Sequence, residues 1–376
     1  MTAHAKVLVL VNKMGACELW RTFQPIAELQ RQGYVGIEWD MRDNRLVAKF
    51  AHLFNAIVLQ RLSWPAGAED NEKNFFRALH RAGLAVIYEV DDDLFTDGFV
   101  KRNSFVWGFS EEQSREQRDG ILRAMQRCDG VTVSTQRVAT IVRNYTDKPV
   151  KVVGNYIDLH WWKMIQKQAR RDPRLTGLTI GWAGGRRPDT DIDPMVTAWE
   201  RIADKYPKVM FVVQGHSTDR FYGHIPADRI TYTKWMSIDD YPAGLVNIDI
   251  GCCPLEDTPF NHAKSAIKAM EYAASSAAVV ASPTVYNGLI EHGKDGFIAN
   301  NADEWEQYLS MLVEDYTLRH DMAKRLLAKV RKSYSLEANA WRWADAWTDI
   351  VSDFRERNRR PHILLPEGVD YYARAQ

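Results

Sequence analysis

The chain has 376 residues with 49 basic and 49 acidic side chains, a length typical of two domains. Because the charges balance, no overall field favours nucleic acid or an anionic membrane as a partner. The four cysteines are too few and too irregularly spaced for a disulfide framework or a zinc site. Without a signal-peptide pattern or a run of about eighteen apolar residues, we expect no transmembrane segment and a cytoplasmic protein.

Short apolar segments alternate with helical ones through the first half of the chain. Strands are predicted at 6–11, 56–60, 85–90 and 130–134. Alternation of this kind is typical of βαβ units on a parallel sheet. It predicts a Rossmann-like N-terminal domain over residues 1–160.

Residues 161–177 begin with two tryptophans, continue as a polar and basic stretch and contain Pro and Gly near their end, which predicts an interdomain linker. The alternation then resumes and predicts a second doubly wound domain over 178–335. Its strands are predicted at 178–185, 208–215, 249–255 and 277–282.

The C-terminal segment, 336–376, is predicted to be helical to about Glu356. Trp341, Trp343 and Trp347 recur at a spacing that gives this helix an aromatic face. We expect the face to pack back across the join between the two domains.

One face of a helix predicted from residue 263 to about 275 carries Lys264, Lys268 and Glu271. The first turn of this helix would offer positive charge to a diphosphate. It provides free backbone N–H groups, the positive end of the helix dipole and the ammonium of Lys264. Glu271 lies roughly 10 Å further along, where a carboxylate can accept two ribose hydroxyls. For an isolated helix, the alternative is a solvated face with one ion pair.

The segments GWAGG, DIGCCPL, AKSAIKAMEYAA, VVAS and HGKDGFIA, in this order and spacing, resemble the donor half of GT-B glycosyltransferases of family four, the group 1 type. The resemblance extends over about residues 130–335 and is weaker in the N-terminal domain. It implies an α/β protein of GT-B fold, with two Rossmann-like doubly wound domains facing across a cleft and a C-terminal helix crossing back to the N-terminal domain. It also implies transfer of a sugar from a nucleoside-diphosphate donor to a hydroxyl acceptor, with retention and without a metal or other cofactor.

The resemblance assigns roles to individual positions of this chain. Glu271 matches the second glutamate of the E-x7-E motif, which holds the donor ribose, and Lys264 matches a basic position on the donor phosphates. Arg186 or Arg187 stands where a basic residue contacts the diphosphate, so one of them would join Lys264 in stabilising the leaving group. Glycines in these loops would permit close approach of the backbone to phosphate. An aromatic loop residue, Trp235, can either stack on the base or pack in the core. The other donor-binding candidates are Gly15, Gly184, Gly185, Trp235, Met236, Asn261, His262, Ser265 and Lys268.

The chain departs from the E-x7-E motif at the first glutamate, which falls on Ala263. In the family that carboxylate touches sugar hydroxyls, so the identity of the donor sugar stays open. The candidates to replace it are Glu256, Asp257, Asn261 and His262.

Three aspartates, Asp91 to Asp93, follow the strand predicted at 85–90. They lie at its carboxyl end, where doubly wound sheets bind ligands, and by the resemblance they face the cleft from the acceptor side. We expect Asp92 or Asp93 to bind or orient an acceptor hydroxyl, with a general-base role if its neighbours tune its pKa. The alternatives are a metal-binding D-x-D of the GT-A type, formed by Asp91 and Asp93, and a cap for the following turn.

Two other functions fit the same fold. A nucleotide-sugar 2-epimerase would share the ribose glutamate and the phosphate cradle but would add acid/base carboxylates and histidines. A non-catalytic protein would only bind the sugar nucleotide. For a transferase, the expected partners are a nucleotide-sugar donor and a hydroxyl acceptor; a saccharide or lipid-linked saccharide is favoured, and a modified nucleic-acid base stays open.

Overall fold

The structure is a computed structural model that describes residues 4–11, 15–34, 36–40, 51–215, 219–221, 223–234, 236–238 and 240–359. Its strands form two parallel sheets, and each sheet has apolar cores on both faces beneath its helices. This is the arrangement of two doubly wound domains. The predicted α/β fold class with two Rossmann-like domains is confirmed.

The N-terminal sheet has the strand order β2-β1-β3-β4-β5-β6. Alternate residues of a strand point to opposite faces, so Leu8 and Leu10 pack in one core while Val7 and Val9 pack beneath the C-terminal helix. The strands are β1 (Val7–Val11), β2 (Gly36–Asp40), β3 (Ala56–Gln60), β4 (Ala85–Val90), β5 (Gly130–Val133) and β6 (Val150–Val152).

Helices connect these strands, and local sequence sets their ends. Gly108, with a φ of 71°, ends one helix in the left-handed conformation, and Ser110 begins the next through a capping box with Gln113. The helical segments are Ala16–Glu18, a π turn at Leu19–Phe23, Gln24–Arg31, a 3-10 turn at Ala51–Leu53, Glu69–Arg81, Asp97–Trp107, Glu111–Gln126, Gln136–Val142 and Leu159–Gln168.

The second sheet has the strand order β12-β11-β10-β7-β8-β9. Its strands are β7 (Thr179–Gly184), β8 (Met210–Gly215), β9 (Ile230–Thr233), β10 (Ile250–Cys253), β11 (Ala278–Ala281) and β12 (Phe297–Ile298). The α-helices from this sheet onward are Asp193–Lys205, Tyr241–Gly244, Ile267–Ala274, Pro283–Tyr286, Ala302–Glu314, Tyr316–Ser333, Leu336–Asn339 and Trp341–Arg359. Short 3-10 turns lie at Asp189–Asp191, Asp219–Phe221, Leu245–Asn247 and Asn261–Ala263.

The C-terminal helix Trp341–Arg359 packs on the N-terminal sheet. Trp343 and Trp347 are buried there, so the predicted aromatic face is formed by these two side chains. Trp341 is 40% exposed and lies outside that face. The chain therefore returns to its first domain after completing the second.

The predicted strands correspond to the central strands of both sheets. The strands that were not predicted, β2, β6, β9 and β12, are the edge strands of their sheets. Burial is incomplete in β6 and β9, and β12 is only two residues long, so the apolar pattern is weaker there. The predicted linker, 161–177, overlaps the helix Leu159–Gln168. The domain limits themselves stay a prediction.

Candidate functional site

A cavity of about 240 Å³ lies between the two domains. It is reached by residues at the carboxyl ends of β4, β7 and β10, where ligands of doubly wound sheets bind. The N-terminal domain contributes Cys17, Trp20, Asp91, Asp92 and Asn155 to its lining. The second domain contributes Trp182, Arg187, Cys252, Cys253, Pro254, Leu255, Lys264, Ser265, Ile267, Lys268, Glu271 and Tyr286.

Glu271 lies on the helix Ile267–Ala274 and is only 3% exposed. Its Oε2 accepts hydrogen bonds from the ammonium of Lys268 at 2.5 Å and from the hydroxyl of Tyr241 at 2.8 Å. Burial and the Glu271 carboxylate raise the pKa of Tyr241, which keeps its hydroxyl protonated as a donor. One oxygen of Glu271 is thus held by the protein while the residue faces the cavity.

Lys264 is not on that helix, which corrects the predicted helix over 263–275. Asn261–Ala263 form a 3-10 turn, Lys264 is extended with a ψ of 162°, and the helix begins at Ile267. The ammonium of Lys264 lies 4.9 Å from the ring centre of Phe260. Burial lowers the pKa of Lys264, and the nearby charge of Asp92 opposes that shift.

Asp92 meets Lys264 across the cleft. Its Oδ1 lies 3.8 Å from Nζ of Lys264, and its Oδ2 accepts a hydrogen bond from Arg61 at 3.0 Å. Burial would raise the pKa of Asp92, but the positive charges of Lys264, Arg61 and Arg102 lower it to about 2. The carboxylate is therefore ionised at neutral pH and joins the two domains electrostatically.

The other two aspartates have different partners. Asp91 accepts a hydrogen bond from Nε of Arg61 at 2.6 Å. Asp93 is 2% exposed, and its carboxylate accepts hydrogen bonds from the backbone N–H groups of Phe95 and Thr96 and from the hydroxyl of Thr96. Asp93 therefore caps a turn and is not among the residues that line the cavity, so of the two acceptor candidates Asp92 is the one that reaches it.

The two arginines after β7 point to different surroundings. Arg186 is exposed and stacks on Phe105 of the N-terminal domain, whereas Arg187 lines the cavity and packs over the ring of Trp182. A Cβ on Gly184 would lie 2.8 Å from a guanidinium nitrogen of Arg187, so the glycine makes room for that side chain. The carbonyl of Gly185 accepts a 3.5 Å hydrogen bond from Nε of Arg187. Of the two candidates, Arg187 is the one that reaches the cavity.

Ala263 is fully buried, at the position of the missing first glutamate. It packs with the core of the N-terminal domain, and its carbonyl accepts a hydrogen bond from the hydroxyl of Thr135 at 3.0 Å. Phe260 beside it packs directly on Gly98, where a Cβ would lie 3.0 Å from that of Phe260. The position therefore belongs to a contact between the domains and has no room for a carboxylate that reaches a ligand.

The candidates to replace that glutamate lie outside the main cavity. Asn261 is 3% exposed and donates hydrogen bonds to Asp191 at 2.7 Å and to the carbonyl of Glu256 at 3.1 Å. His262 lies 2.5 Å from Asp257, measured from Nε2 to Oδ1, and both line a separate open cavity of about 300 Å³. Asn261 contacts Lys264 through the backbone, since its carbonyl accepts a 3.1 Å hydrogen bond from the N–H of Lys264.

Ser265 and Asn155 form a second polar contact between the domains. The amide of Asn155 donates to the hydroxyl of Ser265 at 2.8 Å and accepts from Arg21 at 2.9 Å. Arg21 is fully buried and pairs with Glu89 at 2.8 Å. Arg21 lies in the π turn Leu19–Phe23. Its ion pair with Glu89 therefore helps to hold Asn155 in the position from which it contacts Ser265 of the second domain.

The remaining candidates are less closely tied to the cavity. Gly15 lies just before the helical stretch that begins at Ala16, and the sulfur of Met236 accepts a 3.4 Å hydrogen bond from Gln214. Trp235 lies outside the described residues.

Several residues at or near the cavity were not predicted as site residues, among them Arg61, Asn155, Trp182 and Tyr241. Arg61 directly follows β3, so its position beside the aspartates after β4 could have been inferred from parallel strand order. The contact of Asn155 with Ser265 joins residues 110 positions apart and leaves no local pattern. Tyr241 carries no local signal, because its hydrogen bond to Glu271 joins residues 30 positions apart. Trp182 lies within β7, where its contact with Phe221 likewise joins distant residues.

Within the described ranges, no three His, Cys, Asp or Glu side chains converge in a way that could hold a metal ion. In the same part of the chain, no helix is both long and apolar enough to cross a bilayer.

Residues 177–315 match the family model described as Glycosyl transferases group 1. Similar solved structures include HepE from Anabaena in complex with UDP and glucose, at 15% identity, 92% of this chain, 100% of that chain and a TM-score of 0.64. Sucrose-phosphate synthase from Thermosynechococcus elongatus matches at 11% identity, 93% of this chain, 99% of that chain and a TM-score of 0.61. The pneumococcal O-GlcNAc transferase GtfA, in complex with UDP and GlcNAc, matches at 13% identity, 82% of this chain, 60% of that chain and a TM-score of 0.54. The comparison with curated proteins gave no match.

The solved structures establish the fold of the chain, and the family model matches most of its second domain. Two doubly wound domains also overturn the GT-A alternative, which has a single nucleotide-binding domain. The chain therefore has the GT-B fold seen in glycosyltransferases, and its residues 177–315 are similar to the group 1 glycosyl transferases.

Proposed function

We propose that the protein is a retaining, metal-independent glycosyltransferase that moves a sugar from a nucleoside-diphosphate donor to a hydroxyl acceptor. One observation carries the proposal: Glu271, Lys264 and Arg187 of the second domain line the same cavity as Asp92 of the first. This brings a carboxylate suited to a ribose, two cations suited to a diphosphate and an acceptor-side carboxylate within one small space.

The donor half of the proposal rests on complementary chemistry. Lys264, Arg187 and the free N–H groups at the start of the helix Ile267–Ala274 offer positive charge to a diphosphate. Glu271 has one oxygen occupied by Lys268 and Tyr241, which fixes the carboxylate so that the other oxygen can accept ribose hydroxyls. The binding site for the nucleotide is thus built largely from one domain.

In the proposed reaction, the bond from the anomeric carbon to the diphosphate oxygen breaks as a bond to the acceptor oxygen forms on the same face. The acceptor proton passes to the departing diphosphate. Lys264 and Arg187 stabilise the negative charge that gathers on that leaving group. Asp92, whose pKa is about 2, is too weak a base to hold a proton at neutral pH and instead orients the acceptor hydroxyl as a hydrogen-bond acceptor.

Transfer is favoured over the epimerase alternative by the lining of the cavity. An epimerase needs acid/base groups around the sugar, and no histidine occurs among the described residues that line this cavity. We infer a saccharide or lipid-linked saccharide as the acceptor, and we propose that the protein works without a cofactor.

We also propose a cytoplasmic site of action. All four cysteines are free thiols, and three of them are buried. Unpaired thiols, including the adjacent Cys252 and Cys253, are typical of a reducing compartment.

A thermal-shift screen with UDP-, GDP-, ADP- and dTDP-sugars tests the donor assignment. UDP-sugars are the first choice because HepE and GtfA were solved with UDP. We expect a clear shift from one nucleotide class, unchanged by EDTA, and no shift from any of them would refute the proposal. Transfer to a saccharide panel, with the anomeric configuration of the product read by NMR, then separates retention from inversion and transfer from binding alone.

A further inference from the structure

Arg61 occupies an unusual backbone position beside the acceptor-side aspartates. It directly follows β3, and its φ of 48° lies in the left-handed region that residues other than glycine seldom adopt. Its backbone N–H donates to the carbonyl of Glu89 on the neighbouring strand at 3.0 Å. Such conformations persist where surrounding contacts hold them, and they cluster at functional sites.

The guanidinium of Arg61 holds two adjacent carboxylates at once. Its Nε donates to Oδ1 of Asp91 at 2.6 Å, and a terminal nitrogen donates to Oδ2 of Asp92 at 3.0 Å. Two neighbouring carboxylates repel each other, and a planar fork of fixed donors satisfies both in one geometry. A lysine ammonium carries the same charge but lacks that fork.

The contact with Arg61 decides which oxygen of Asp92 is available to a ligand. Because Oδ2 is bound by Arg61, Oδ1 is the oxygen that faces Lys264, 3.8 Å away across the cavity. A group bonded to a diphosphate at Lys264 would lie next to that oxygen.

We propose that Arg61 is a positioning residue for sugar transfer, which fixes Asp92 so that its Oδ1 receives the reacting hydroxyl. The inference rests on the proposed function, since it assumes that the cavity binds donor and acceptor. Arg61 acts through Asp92 and does not touch the substrate.

The charged and titratable groups around Asp92 set the expected pH dependence. Arg61, Asp91 and Cys17 face it from its own domain, Arg102 approaches from the helix Asp97–Trp107, and Lys264 approaches from the second domain. Burial and the negative charge of Asp91 raise the pKa of Asp92, and the positive charge of Arg61 opposes them. Removing Arg61 should therefore raise the pKa of Asp92. The acid limb of the transfer rate should then move to higher pH.

The test compares Arg61→Met and Arg61→Lys with wild type, using UDP-glucose as donor and the best acceptor of the saccharide panel, or water if none is found. For Arg61→Met we expect kcat to fall about ten- to a hundredfold, a donor Kd within about threefold of wild type and an acid limb at higher pH. Arg61→Lys should restore the pH profile more fully than kcat. Arg115→Met, at an exposed ion pair with Glu111, is the matched control and should behave as wild type.

A kcat and pH profile like those of wild type in Arg61→Met would overturn the inference while leaving the proposed function intact. If Arg61→Met fails to fold, Arg61→Gly replaces it, because glycine accepts a positive φ without strain. If wild type neither binds nor turns over any nucleotide sugar, the proposed function fails. A double-mutant cycle of Arg61→Met with Asp92→Asn in thermal unfolding then tests the contact between the two side chains. Zero coupling energy would overturn the inference, and a measurable coupling energy would support the contact on which it rests.

Discussion

Replacing Glu271 by alanine tests the donor site most directly. The substitution removes the carboxylate that faces the cavity and also the acceptor that holds Lys268 and Tyr241. The variant should therefore lose donor affinity, and the loss of these two hydrogen bonds should lower its stability, while Lys268 keeps its hydrogen bond to the hydroxyl of Tyr241.

The expected losses follow from the number and kind of hydrogen bonds. Two ribose hydroxyls donating to an ionised carboxylate are worth about 2 to 4 kcal/mol together, which corresponds to a Kd roughly 30- to 700-fold higher. Losing the bonds from Lys268 and Tyr241 should lower the free energy of unfolding by about 1 to 3 kcal/mol. Glu271→Gln keeps the shape of the side chain but removes the charge, so its loss of affinity should be smaller.

Calorimetry with UDP-glucose measures the affinity, and chemical unfolding measures the stability of each variant. Glu306→Ala is the matched control, because its carboxylate pairs with Arg201 away from the cavity and donor affinity should not change. A folded Glu271→Ala variant with the donor Kd of wild type would refute the assignment of Glu271 to the ribose. If affinity falls equally for UDP and for uridine, the loss belongs to the nucleoside and not to the phosphates.

Three further predictions address the contacts around the cavity. The lowered pKa of Asp92, about 2, means that its ion pairs stabilise the folded state above the ordinary Asp pKa of about 4 and are lost as pH falls towards 2. Asp92→Asn should therefore lose less stability than wild type over that acid range in thermal unfolding, and equal slopes would contradict this. Glu89→Gln leaves the charge of the buried Arg21 without its carboxylate and should cost about 3 to 5 kcal/mol in urea unfolding; a loss under about 1 kcal/mol would show that the ion pair contributes little to stability. Ala263→Glu places a carboxylate in a fully buried position and should cost more than about 2 kcal/mol, whereas an unchanged unfolding midpoint would mean that the position opens to the cavity.

The central architecture was predictable because it depends on local patterns. Continuous apolar runs such as the one at 85–90 become strands buried on both faces, and β4 is buried along its whole length. Edge strands such as β12, only two residues long, give too short a signal. The helix face and the family resemblance placed Glu271 near a ribose, and the resemblance placed Arg186 or Arg187 near a diphosphate; Glu271 and Arg187 line the cavity.

The aspartates show where prediction from sequence stops. Asp91, Asp92 and Asp93 are adjacent and chemically identical, so the sequence could not distinguish the one that meets Lys264 from the one that caps a turn. The distinction comes from Arg61, thirty-one residues before Asp92, and from Thr96 beside Asp93. Partners of this kind depend on the folded sheet and leave no local pattern.

The error in the helix start has the same origin and explains how the two halves of the cavity are joined. Four residues around this turn contact the N-terminal domain. Phe260 packs on Gly98 and Ala263 bonds to Thr135. Lys264 faces Asp92, and Ser265 bonds to Asn155. These contacts hold the segment in a 3-10 turn and an extended stretch, so the helix can begin only at Ile267. The partners of Ala263 and Ser265 lie 128 and 110 residues away in sequence, beyond any helical periodicity. Since Lys264 is held by this segment, its position in the cavity depends on contacts with both domains.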